Sequence, residues 1–171
     1  STNAQDLIFG DWDGTSGNRL LTLSSLTGFG SVRMDAGDTG TRHLIVDQAG
    51  TTTFNGMLLA HASTHTTNLV RSLDFQKKGA GTLTMANVVG RQTASAGVSN
   101  ALLTVTVSGG KLGLTATNTF NGWSAVSSGA TLEVSGAGQL DSGNYAQPIT
   151  NNGTLSVTTT AGQILSGVIS G

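Results

Sequence analysis

Residues 75–85 read FQKKGAGTLTM, and this stretch decides the fold. It joins a polar, glycine-containing turn (Lys77, Lys78, Gly79, Ala80, Gly81) to a short alternating strand (Thr82, Leu83, Thr84, Met85). The strand half returns three times downstream, as Gly110–Leu114 (GKLGL), as Gly129–Val134 (GATLEV, one residue longer) and as Gly153–Val157 (GTLSV). Leu83, Leu112, Leu132 and Leu155 are 29, 20 and 23 residues apart. Spacings in this range predict a solenoid, propeller or array. Because side chains alternate along a strand, Leu83 with Met85, Leu112 with Leu114, Leu132 with Val134 and Leu155 with Val157 would each share one face. Thr84, Gly113, Glu133 and Ser156 would face the other way, towards solvent. One copy cannot bury its apolar face alone, but copies stacked about 4.8 Å apart bring the leucines into an inner column. A longer echo, TFNGML (53–58) against ILSGVI (164–169), pairs Phe54 with Leu165 and Gly56 with Gly167.

Composition agrees with an all-β chain. The 171 residues include 25 glycines, one proline and no cysteine, and only 10% are charged. Strong helix formers are scarce, whereas Thr and Val suit a pleated, half-buried surface. The length fits one domain or a short run of repeats. A net charge of −1 supplies no field to hold nucleic acid or an anionic membrane. No apolar run approaches the roughly 20 residues of a membrane span, and no basic, then apolar, leader is visible at the N-terminus; a processed secreted chain would look the same. Absence of cysteine removes disulfides and thiolate metal sites.

Taken in order, the expected strands are Asp6–Phe9, Leu20–Leu23, Ser31–Met34 and His43–Asp47, the last two split by a turn at Asp35–Thr41. Gly50–Ala60 follows, with Phe54, Met57 and Leu59 as its candidates for burial; Ala62–Asn68 reads as a polar loop, and Ser72–Phe75 as the strand entering the central stretch. The chain is read as one domain, with irregular turns over 1–71 and repeat-matching turns over 72–171.

Phe75–Met85 resembles the autotransporter-associated β-strand repeat, also called the passenger-associated transport repeat. That motif runs hydrophobic, Lys, any, Gly, any, Gly, Thr, Leu, any, hydrophobic, and Phe75, Lys77, Gly79, Gly81, Thr82, Leu83 and Met85 stand at its places. Asn118-Thr119-Phe120-Asn121-Gly122, followed by Val126 and Gly129–Val134, is similar to the segment that continues the family pattern, as is Asn151–Val157. The likeness covers 72–171. It departs at Ala86–Leu103, which is longer than the pattern and reads as an insertion or irregular turn, and at Trp123, where a smaller residue is usual. The resemblance implies a right-handed parallel β-helix, export across a bacterial envelope and display at the cell surface. Autotransporters with these repeats end in a membrane barrel that this sequence lacks, which implies a fragment, a processed passenger or another route to the surface.

Candidate chemistry is sparse. All eight basic residues lie at or before Lys111 and seven of the nine acidic ones at or before Asp74, which places any polar site in the first half. Asp35, Asp38, Arg42 and His43, with Asp47, are near enough in sequence for a cluster of the kind with which some β-helix enzymes cleave acidic polysaccharides, but no second acidic pair accompanies them, and solvated turn charges are the plainer reading. Asp11-Trp12-Asp13-Gly14 opens like a calcium loop but lacks its later ligands. His61 and His65 have metal-ligand spacing only on a helix, which HASTHTTN does not favour. No nucleophile elbow supports a Ser/His/Asp triad. Lys77 and Lys78 read as solvated turn charges, and Gly79-Ala80-Gly81 has no helix start with which to cradle phosphate. Trp12 and Trp123 suit core packing or end-capping better than sugar stacking, and Asn118, Asn121, Asn151 and Asn152 suit turns or stacked Asn ladders. No catalytic residue, metal ligand or cofactor site is assigned.

The leading reading is a non-enzymatic structural protein of the bacterial surface, a β-helical stalk or filament subunit whose partner is another copy, stacked head to tail. The alternative is an adhesin or carbohydrate-binding passenger fragment that recognises surface glycans or host or neighbouring-cell surfaces. A polysaccharide-active enzyme ranks third. Nucleic-acid binding and membrane insertion by this chain are not expected.

Overall fold

The computed structural model describes residues 6–9, 18–34, 40–60, 71–91 and 101–171. In chain order the strands are β1 Asp6–Phe9, β2 Arg19–Leu23, β3 Ser31–Met34, β4 Gly40–Asp47, β5 Thr52–Phe54, β6 Met57–Ala60, β7 Arg71–Lys78, β8 Thr82–Met85 and β9 Val89–Arg91. They continue with β10 Ala101–Val107, β11 Lys111–Leu114, β12 Ser124–Val126, β13 Thr131–Gly136, β14 Asn144–Tyr145, β15 Ile149–Asn151, β16 Thr154–Thr159, β17 Ile164–Leu165 and β18 Ile169–Ser170. One short 3-10 turn, Asp141–Gly143, is the sole helical element among the described residues.

The protein is all-β, and its named strands pair in parallel. Among the described residues, four sheets run in the orders β2-β4-β7-β10-β12-β15-β18, β5-β8-β11-β13-β16, β1-β3-β6-β9 and β14-β17. The chain visits these sheets in rotation, so that β7, β8 and β9 form one pass and each strand lies beside its counterpart in the passes before and after. A parallel neighbour cannot be reached by a tight hairpin; here the rest of the pass makes the connection.

The leucine column is present in register. Leu83 pairs with Leu112, Leu112 with Leu132 and Leu132 with Leu155, while Met85, Leu114, Val134 and Val157 form a second column two residues on. Leu83, Leu112 and Leu132 are fully buried, with Leu44, Phe75, Leu103 and Val105 from the seven-stranded sheet in the same core. Thr84, Glu133 and Ser156 are partly exposed on the other face. Gly113 between them is buried, beside the Thr84 side chain.

Several expectations change. The echo between 53–58 and 164–169 does not follow the stacking, since Phe54 belongs to the five-stranded sheet and continues through Met85, whereas Leu165 pairs with Tyr145 elsewhere. In Gly50–Ala60, Phe54 is buried but Met57 is 39% exposed and Leu59 intermediate; Leu58 and Ala60 are the buried pair. The alternation runs unbroken through the bend at Asn55-Gly56, with Phe54, Gly56, Leu58 and Ala60 all buried, so Met57 and Leu59 fall on the outer face. β4 begins three residues earlier than expected, and β7 runs through Lys78, so the turn starts at Gly79 and not at Lys77. Of Ala86–Leu103, residues 89–91 and 101–103 are regular strand. The rest of that segment from 92 to 100, together with Ala62–Asn68, lies outside the described residues.

The corner after β7 explains its glycines. Gly79 holds a φ of +71° and Gly110 one of +59°, a left-handed conformation that costs glycine nothing. A Cβ on Gly81 would strike the Gly50 carbonyl oxygen of the pass below, so successive corners stack backbone on backbone.

Tyr145 fills the other side of the core and had no mark in the sequence. It is fully buried, its ring stands edge-on to Phe120 with centroids 5.5 Å apart, and its hydroxyl donates to the Gly122 carbonyl at 2.6 Å and lies 2.8 Å from Ser124 Oγ. Burial pushes its pKa up from 10.0 to about 12, against the Ser124 hydrogen bond, which acts the other way. The folded state therefore holds this proton where the unfolded chain releases it. The contribution is complete below pH 10 and is lost as pH rises from 10 towards 12, by about 2–3 kcal/mol. Urea midpoints should fall across that window in the native chain, and the fall should be shallower in Tyr145→Phe; identical slopes would show that the phenol is not buried.

Candidate functional site

The outward side chains of the seven-stranded sheet form the candidate site. Parallel register aligns His43 with Asp74 and Asp74 with Thr104, and the Val105 amide donates to the Trp123 carbonyl at 3.3 Å, so the row ends at Trp123. Thr41, Ser72 and Leu102 align in the adjacent row, two residues earlier on each strand. All seven residues line one open cavity of about 220 Å3.

Its polar members are held by one another. Asp74 Oδ2 lies 3.1 Å from His43 Nδ1, and Asp74 Oδ1 accepts from Thr104 Oγ1 at 3.0 Å. Thr104 is buried, while the His43 and Asp74 side chains are about one-third exposed. Such a carboxylate is fixed in direction, with lone pairs remaining for an incoming hydroxyl or N–H. Trp123 is 46% exposed on this outer face. The expectation of core packing or end-capping is therefore corrected: Trp123 sits just before Ser124, which is buried, and strand alternation turns it outward.

Of the residues considered for a polysaccharide-cleaving cluster, the three that are described, Arg42, His43 and Asp47, do not converge. Arg42 and His43 are consecutive on β4, so Arg42 points inward and is buried while His43 points out. Asp47 is exposed at the far end of that strand. Asp35, Asp38, the Asp11–Gly14 segment with Trp12, His61 and His65 lie outside the described residues. Among those described, no three His, Asp or Glu side chains come together as metal ligands would.

Lys77 overturns its expectation most completely. It is 0% exposed, in register with Val46 and Val107, and its ammonium donates to the carbonyls of Lys78 (2.5 Å), Gly79 (3.0 Å) and Gly109 (3.3 Å). Burial pushes its pKa down from 10.5, with the Asp47 carboxylate opposing. Nearby, buried Gln48 does similar work one pass below, donating from Nε2 to the carbonyls of Gly50 and Thr82 and to Thr52 Oγ1. Asn118 bridges passes too: its Oδ1 accepts from the Val89 amide at 2.8 Å and its Nδ2 donates to the Ala116 and Gln139 carbonyls. Asn121 Oδ1 accepts from the Leu103 amide. These asparagines tie turns together as expected, but through backbone groups and not as an Asn ladder.

No family model, curated protein or solved structure matches the chain.

Asp74 and Thr104 were not singled out in the sequence, because 30 residues separate them and neither belongs to a motif. The usable signal was the period itself: aligning HLIV (43–46), LDF (73–75) and TVTV (104–107) by their inward residues puts His43, Asp74 and Thr104 in one outward row.

Proposed function

We propose that the successive passes are turns of a right-handed parallel β-helix, and that this is a non-catalytic structural segment of a protein displayed on a bacterial surface, extended head to tail by a second copy. The observation that carries this reading is the state of the inner columns at the last pass. Ile149 is buried, but its partner Ile169 is half-exposed; Val134 is buried, but its partner Val157 is not. Positions that the middle passes cover are open here, beside the unpaired edges of β16, β17 and β18. Another parallel pass, from further residues of the same protein or from a second copy, would close both the apolar columns and the backbone ladder at once, and a second copy would give a heterologous, non-closing assembly. Support for display at a bacterial surface comes from the likeness of Phe75–Met85, Asn118–Gly122 and Asn151–Val157 to the passenger repeat. The separation of Arg42 from His43 speaks for the structural reading over the polysaccharide-cleaving one.

Sedimentation and negative-stain electron microscopy test it. The native chain should form rods whose mass grows with concentration, at about 4.8 Å per pass. Ile169→Glu should abolish them while leaving the circular dichroism spectrum unchanged. Monomers at every concentration would overturn head-to-tail stacking.

A further inference from the structure

The geometry points to a saccharide-binding site on the outer face of the seven-stranded sheet, at the Trp123 end of the His43–Asp74–Thr104 row. It goes beyond the structural reading and does not depend on how the stack ends.

The chemistry on this face suits a pyranose ring. Such a ring has an apolar C–H face and an equatorial rim of hydroxyls, and so needs an aromatic surface beside fixed hydrogen-bonding groups. Trp123, nearly half exposed, lines this cavity, where its indole is placed to stack on the C–H face of a sugar ring. Next to it the Asp74 carboxylate is locked by His43 and Thr104, so a hydroxyl arriving there meets an acceptor that loses no further freedom. Thr41 and Ser72, in the neighbouring row, add hydroxyls that donate or accept. The rows lie on sheet strands and not on loops, and their spacing is fixed by in-register pairing.

Size and charge narrow the class. A volume of about 220 Å3 lies below the roughly 300–1,000 Å3 of clefts that enclose drug-sized ligands. It seats a single ring, and the open shape leaves the neighbouring sugars of a chain outside. Among the described residues, Asp74 is the only carboxylate in the lining, and neither Lys nor Arg contributes to it. Acidic sugars would therefore meet a like charge, and the one basic group beside it, His43, is already engaged by Asp74, so the ligand is a neutral hexopyranose, free or as one residue of a glycan.

Ligand-observed saturation-transfer NMR on the whole chain provides the test, with the methyl glycosides of glucose, galactose and mannose as neutral probes and methyl glucuronide as the acidic one. At least one neutral probe should bind with a dissociation constant on the order of 1 mM, its strongest transfer on the C–H protons of one ring face. Trp123→Ala should weaken binding by about tenfold or more, Trp123→Phe should restore part of it, and Asp74→Asn should weaken it with the ring-face pattern kept. Thr150→Ala, exposed on β15 of the same sheet but outside the cavity, should leave binding unchanged. No transfer to any neutral probe, preference for the glucuronide, or undiminished binding in a folded Trp123→Ala would each overturn the proposal.

Discussion

Leu83→Asp should leave the chain without a cooperative melting transition. Leu83 is fully buried in β8, second of the five strands in its sheet, with Thr52 in register on one side and Leu112 on the other. Truncating such a leucine to alanine costs about 2–5 kcal/mol through lost transfer energy and the cavity left behind. An aspartate adds a carboxylate with no cation to meet it, a penalty of several kcal/mol more. Together these approach or exceed the roughly 5–15 kcal/mol that holds a domain of ordinary stability. Because strands pair only with their neighbours in adjacent passes, loss at Leu83 also separates the passes on either side. Leu83→Ala should still fold with a lowered melting temperature. Thr84→Asp, one residue on and partly exposed on the opposite face, should shift it by a few degrees at most. Circular dichroism melts decide the matter: if Leu83→Asp and Thr84→Asp melt alike, the inward column is misassigned.

The column was legible because its evidence is local and repeated. Four copies of a glycine followed by an alternating strand carry both period and parity, and their in-register pairing follows the leucine spacings residue for residue. Where no copy repeats, parity is not legible. At Gly50–Ala60 the inward set keeps the parity of Phe54 through the bend, to Leu58 and Ala60, whereas the apolar residues Met57 and Leu59 suggest a switch of parity that does not occur. The site was less legible for a different reason. His43, Asp74, Thr104 and Trp123 come from four passes of unequal length, with partners 19 residues apart between Val105 and Ser124 but 31 apart between His43 and Asp74. No fixed window brings them together; hydrogen-bonded register does. Residue type also misled in predictable ways. A tryptophan suggests a core and a lysine suggests solvent, yet alternation along β7 and before β12 placed each on the other side.

Lys77 and Lys78 make that last point measurable. Adjacent on β7, they differ only in parity: Lys77 faces the interior and Lys78 is partly exposed. Lys77→Glu would aim a carboxylate at the Lys78, Gly79 and Gly109 carbonyls, replacing a donor to three acceptors by a fourth acceptor. The loss should be about 3–5 kcal/mol, as for a buried charge stripped of its partners. Lys78→Glu should stay within about 0.5 kcal/mol of the native chain. Lys77→Met keeps the apolar stem and removes the donor; carbonyls left unsatisfied cost about 1–3 kcal/mol, partly offset because no ammonium has to be desolvated. That offset has a pH signature. With its folded pKa pushed below 10.5, Lys77 binds a proton more weakly in the folded chain than in the unfolded one. Stability therefore rises with pH from the lowered value up to 10.5, opposite in sign to the Tyr145 effect that begins at pH 10. The rise should disappear in Lys77→Met, as measured by urea midpoints from neutral pH to 10.5. If Lys77→Glu and Lys78→Glu proved equally mild, or if Lys77→Met kept the native pH slope, the ammonium would have to lie in solvent, and the corner would have to satisfy its three carbonyls in some other way.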